Sequence, residues 1–225
     1  MIAKLLAALS FVVGLGYASG ALADFSACDS AFRAHDSQQE ITLWTSCLIK
    51  GGLPLQDRAG AFNNRGVAYE RIGETDKAFN DFTWAIEADP RWATAYANRA
   101  NVYMHRREWA KARADFEQGI SVGPSDVAIG SYVGEVWLLA ACPDDSIRDG
   151  HKAVELGLKA VRLSKKWPNA HDSLAMAYAE VGQFDDAIRE ESTAIELADP
   201  KAQAGGPALF QAHMEQFRKG SPVRL

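Results

Sequence analysis

Three cysteines and five histidines are the side chains here best suited to covalent or metal chemistry. The histidines (His35, His105, His151, His171 and His213) are scattered along the chain. They form no His-Glu-x-x-His pair for zinc. No Gly-x-Ser-x-Gly turn presents a serine nucleophile, and no glycine-rich loop is built to cradle phosphate. Cys142 stands in a Cys-Pro turn with no histidine at a spacing that would activate it, which favours packing over a redox or nucleophilic role. Carboxylates are plentiful, but they fall at surface spacing. No catalytic residue, cofactor or metal ligand set is therefore assigned, and the chain reads as a binding protein, not an enzyme. Cys28 and Cys47, 19 positions apart, depend on the elements that carry them.

Charge narrows the partners. The formal net charge of −5 argues against a nucleic-acid partner, which needs a clustered basic face. At the start of the sequence, Lys4 precedes an apolar run from Leu5 to Leu15, then small residues and Ala21-Leu22-Ala23. That is the pattern of a signal peptide over 1–23, with Asp24 as the new first residue. Removing Lys4 takes the charge from −5 to −6. An uncleaved anchor is the alternative, and would be the one membrane contact, since no second run is long enough to span a bilayer. A lipid-attachment role for Cys28 is disfavoured by Asp24 in its approach. The expected location is the bacterial periplasm.

The elements follow from self-comparison. Gly66 and Ala100, Tyr69 and Tyr103, Ala78 and Ala112, Phe82 and Phe116, and Pro90 and Pro124 are each 34 apart. The same offset relates Ala153 to Ala187, Ala160 to Ala194 and Val161 to Ile195. Within a unit, Phe62, Gly66 and Tyr69 mark one helical face. Gly73 breaks that helix, Asp76 begins a second run through Ala78, Phe82, Ala85 and Ile86, and Asp89-Pro90 ends it.

Phe62-x2-Arg65-Gly66-x2-Tyr69 … Ala78-x3-Phe82 … Pro90 and its copy Tyr96-x2-Arg99-Ala100-x2-Tyr103 … Ala112-x3-Phe116 … Pro124 resemble tetratricopeptide repeats. His171-x2-Leu174-Ala175-x2-Tyr178 … Ala187 matches as well, and departs at Glu191, where an aromatic is usual. The resemblance implies an all-α fold: a right-handed superhelical stack of helix-turn-helix hairpins with a C-terminal cap helix. Two well-formed units cover 59–124. A variant hairpin and a further unit cover 129–200. The variant carries Trp137-Leu-Leu-Ala-Ala-Cys-Pro-Asp and Arg148-Asp-Gly and is similar to a recurring hairpin of bacterial repeat proteins. A degenerate hairpin covers 24–52, and a solvating cap helix covers 206–219.

If 24–52 is a hairpin, Cys28 and Cys47 occupy the small-residue positions equivalent to Gly66 and Ala85. In an exported chain that predicts a disulfide, with two buried thiols as the alternative. Arg65 and Arg99 stand where the family usually has leucine, with Asp81 and Asp115 just before the second-helix phenylalanines. Interhelical pairs Arg65–Asp81 and Arg99–Asp115 are expected.

In this family the first helix of each hairpin lines a concave groove that holds extended or helical peptides. The groove-facing positions are Asn63, Val67, Glu70 and Arg71, then Ala97, Asn101, Met104 and His105, then Asp172, Met176 and Glu180. An unidentified protein or peptide partner is expected there. One subtype clamps a C-terminal carboxylate with Lys, Asn and Arg. Asn63, Asn98 and Asn101 are present without the lysines, so that clamp is not supported. Self-association through an uncapped end is the competing reading, and the oligomeric state is open.

Overall fold

The computed structural model describes residues 26–34, 36–49, 53–198 and 206–225. The segment 1–23, read as a leader, lies outside them, as do residues 24–25, His35, residues 50–52 and 199–205. The described residues form helices α1 (Ser26–Ala31), α2 (Ser37–Ile49), α3 (Leu55–Arg71), α4 (Thr75–Ala88), α5 (Ala93–His105) and α6 (Trp109–Val122). These continue as α7 (Ile129–Ala141), α8 (Gly150–Leu163), α9 (Pro168–Glu180), α10 (Phe184–Leu197) and α11 (Pro207–Arg218), with no strand among the described residues. Consecutive helices pair as α1–α2, α3–α4, α5–α6, α7–α8 and α9–α10. The first helices α3, α5, α7 and α9 also neighbour one another, so the hairpins stack.

The repeated small residues set the spacing. Ala78, Ala85, Ala112, Ala153, Ala160, Ala187 and Ala194 are all fully buried, and Phe82 and Phe116 fill the space beside them. At Gly66 the approach leaves no room for a side chain, because an added Cβ would stand 2.6 Å from Phe82 Cε1.

The turns repeat as faithfully as the cores. Glu74 N–H donates to Tyr69 O at 2.9 Å, Glu108 to Tyr103 at 2.9 Å and Gln183 to Tyr178 at 2.8 Å. Each bond satisfies a helix-end carbonyl and needs a left-handed residue just before the donor. Gly73 and Gly182 supply it with φ of 78°, but the middle unit uses Arg107 at φ 57°. The α7–α8 connection is longer. There Asp149 caps α8 by accepting from Lys152 N at 2.9 Å. Arg148 crosses it to Cys142 O at 2.7 Å and Glu180 Oε1 at 2.9 Å.

Both expected ion pairs are present. Arg65 and Asp81 are joined by two hydrogen bonds, as are Arg99 and Asp115. Cys28 and Cys47 form the disulfide, with Cα atoms 5.1 Å apart. It joins the six-residue α1 to α2, a unit whose own buried apolar residues are few (Ala31, Trp44 and Cys47, packed with Ala61 of α3). In the chain-entropy picture, closing that loop contributes roughly 3 kcal/mol.

Candidate functional site

The concave face divides into an open part and a covered part. The open part is a cavity of about 790 Å³ between α3, α5, α7 and the start of α9. Glu70, Asn101, Met104 and His105, expected in the groove from their spacing, all line it. So do Val133 and three tryptophans: Trp109, Trp137 and Trp167. The result is an apolar floor with a polar edge. Burial lifts the Glu70 carboxyl above its ordinary value, and His105 nearby partly offsets this. Arg107, the left-handed non-glycine residue, stands on the same rim.

Three groove assignments at the first repeat change in detail. Asn63 is 6% exposed and accepts a hydrogen bond from Asn98 Nδ2 at 2.9 Å, so it ties α3 to α5. Val67 packs against the Ala78, Phe82 and Val102 cluster. Arg71 reaches away to Glu40 on α2, Nη1 to Oε2 at 2.8 Å.

Met176 is a correction. It is 2% exposed and belongs to the same apolar cluster as Phe217 and Val223. Helix α11 and the segment after it lie over the concave positions of α9. His213 bonds Asp172, and Arg224 pairs with Glu180 at 2.6 Å. The His213 ring also meets Trp137 of α7 edge-on at 5.7 Å. Leu225 N–H donates to Ala141 O at 3.0 Å, and Leu225 borders the open cavity. The C-terminal element therefore shields apolar surface as a cap helix does, with Phe210, Met214 and Phe217 buried. It also fills the α7–α9 end of the groove, as a ligand would. Helical spacing placed Met176 on the groove face, but it could not show that residues 207–225 fold back onto that face.

Two chemically interesting groups are closed off. Cys142 is free and fully buried beside Leu138, Ala112 and Phe116, and burial pushes its thiol up, away from the thiolate that reactivity needs. Asp172, Glu191 and His213 converge beneath α11, exposed by only 0%, 0% and 4%. Burial, then the neighbouring Asp172 charge, raises the Glu191 carboxyl well above the usual range. Burial also raises Asp172, against the pull of His213.

The three tryptophans of the cavity were not picked out as groove residues from the sequence. Their signal was available: Trp137 lies on a first helix, and Trp109 and Trp167 sit at or just before helix starts.

Comparison with known proteins agrees with this architecture. Tetratricopeptide repeat profiles match residues 59–91 and 92–122. Human tetratricopeptide repeat protein 6 is 30% identical over 78 residues, which are 35% of this chain and 15% of that protein. Human DnaJ homolog subfamily C member 7 is 27% identical over 132 residues, 59% of this chain and 26% of that protein. The chain thus spans about a quarter or less of these relatives. Among solved structures, the thermophilic tetratricopeptide protein TTC0263 of Thermus thermophilus aligns with a TM-score of 0.60 at 16% identity, covering 81% of this chain and 91% of that one. YrrB, described as a tetratricopeptide protein with an unusual peptide-binding site, aligns at 0.52 with 20% identity, covering 79% and 86%. Residues 59–122 accordingly match two tetratricopeptide repeats, and they sit inside a longer helical stack that shares the fold of solved tetratricopeptide proteins.

Proposed function

We propose that this protein is an interaction scaffold of the cell envelope that holds an extended segment of a partner protein in the open part of its concave groove. The observation that carries this is the cavity beside Leu225, with Met104, Val133 and Trp137 as apolar anchors and Asn98 and Asn101 able to pair with peptide backbone. The groove already holds the non-helical tail at its far end, where Val223 is buried and Leu225 donates a backbone bond. A partner segment would continue along the same face. Binding is favoured over catalysis, because the cavity lining brings together no nucleophile with a base and no converging metal ligands. Export is supported by the leader pattern at 1–23 and by the Cys28–Cys47 disulfide, which needs an oxidising compartment to persist.

The test is affinity capture from envelope extract with wild-type protein, Met104→Glu and Asn101→Ala, beside Lys77→Glu as a surface control. Capture of one protein by wild type and Lys77→Glu, lost in both groove variants at unchanged thermal stability, supports the reading. Equal capture by all four moves the interface off the groove. Self-association is the competing reading, favoured by Phe32 and Ile49 at 72% and 76% exposed on the first hairpin. Sedimentation showing a monomer at all concentrations removes it.

A further inference from the structure

Repeat comparison within the chain isolates one anomaly in the core. Phe82 and Phe116 each follow a buried alanine by four positions and are fully buried. In the last repeat Ala187 is followed by Glu191, also fully buried. A carboxyl thus stands where two other units put a phenyl ring. It does not stand alone. His213 Nδ1 lies 2.7 Å from Asp172 Oδ1 and 3.9 Å from Glu191 Oε1. One ligand atom from each of the three residues lies within 4.8 Å of the others. The residues come from three different helices, α9, α10 and α11.

The cluster is under-satisfied. Asp172 Oδ2 and both Glu191 oxygens are buried without a well-placed donor, the two carboxyls facing each other and Trp137 reaching Asp172 alone. Buried carboxylate oxygens are costly without a donor or a cation. One shared proton could bridge two of these three atoms and would leave the third bare. A divalent cation could meet all three and offset both carboxylate charges.

We infer that Asp172, Glu191 and His213 form a closed, structural site for one divalent transition-metal ion of the zinc class. Two carboxylates with an imidazole suit zinc, manganese or ferrous iron, whereas calcium and magnesium prefer all-oxygen sets. Ligands at about 2.0–2.1 Å in a tetrahedral arrangement stand about 3.3 Å apart. The His213–Asp172 contact would therefore open by about half an ångström and the Glu191 contact would close by a similar amount. One carboxylate binding through both oxygens supplies the fourth donor in place of water, and the complete burial leaves no open position for a substrate. Because His213 is on α11, the ion fastens that helix over the groove face of α9. This inference is independent of what the open cavity binds.

The experiment uses the tag-free full chain and Glu191→Gln, which keeps the shape and removes one anionic ligand. Each is equilibrated with Zn²⁺, Mn²⁺ or Co²⁺, desalted, and assayed for bound metal by mass spectrometry and for thermal midpoint. Expected are about one equivalent on wild type, at least tenfold less on the variant, and a metal-dependent rise in midpoint for wild type alone. Equal retention by both chains, or none by wild type, overturns the site and leaves a proton-sharing carboxyl pair. Should Glu191→Gln fail to fold, His213→Gln is the second variant, and the ligand-field absorbance of bound Co²⁺ reads the same site directly. Retention of that absorbance in His213→Gln also overturns it.

Discussion

Arg65 grips Asp81 with two hydrogen bonds, Nε to Oδ2 at 2.8 Å and Nη2 to Oδ1 at 2.7 Å, and spends its third arm on Thr45 Oγ1 at 3.1 Å. One guanidinium thereby ties α2, α3 and α4 together. Arg99 repeats the grip on Asp115, with Thr83 of α4 as its third contact. The energetics are two-sided. Burial raises the Asp81 carboxyl more than Arg65 lowers it, while Asp81 raises Arg65 net of its own burial. Desolvation opposes the attraction, so the pair is expected to fix register more than it adds stability.

Asp81→Ala should nonetheless be costly, because it strands a half-buried guanidinium. A loss of about 3–5 kcal/mol is expected in urea unfolding, against about 0.5 or less for Lys77→Ala on the surface. The double change Arg65→Leu with Asp81→Ala should recover most of that loss. A single-variant loss no larger than the surface control would sink the account.

Much of this frame is legible in the sequence, since each hairpin is a local object with a fixed period. Gly66, Ala78, Phe82 and Pro90 announce a hairpin by type and spacing alone. The Arg65–Asp81 pair is legible too, because both members sit within one unit. The Thr45 contact is not, as it crosses units whose spacing is irregular. Met176 and Asp172 fail for the same reason on a larger scale. Their cover comes from His213 through Val223, about forty positions on, and no periodicity reports where a terminal segment folds back. The segment 1–23, read as a leader from its pattern, lies outside the described residues.

Arg107 is the one non-glycine described residue with positive φ, in a turn where two sister units use glycine. Arg107→Gly should stabilise the fold by about 0.5–1 kcal/mol, since the left-handed strain of an L side chain is relieved. Strain kept at a rim position points to a use for the side chain. Partner capture should therefore weaken while the thermal midpoint rises. A fall in midpoint contradicts the turn argument, and unchanged capture contradicts the use.

Val223 is 8% exposed in the segment that fills the groove end. Val223→Asp would bury an unpaired charge, so the segment should release instead. Amide exchange at Leu225 should rise sharply, and Met176 should become open to oxidation, with exchange in α3 to α6 unchanged. Equal protection of Leu225 in the variant would show that the segment is not held by Val223.

Glu135 on α7 gives a pH dependence whose sign is fixed. It is 3% exposed, and burial first, then the Glu117 charge, raises its carboxyl from 4.5 to about 7, against Arg113 and Lys152. Below pH 4.5 both folded and unfolded chains hold the proton, and the residue costs nothing. Between pH 4.5 and 7 the unfolded chain releases it while the folded chain keeps it, so stability falls as pH rises. Above pH 7 both are ionised and the penalty levels off, at about 3 kcal/mol at most. Glu135→Gln should therefore match wild type near pH 4.5 and exceed it progressively up to pH 8 in urea unfolding. Two stability curves that run parallel across that range would mean the carboxyl is already ionised at no cost, with Arg113 and Lys152 compensating for burial in full.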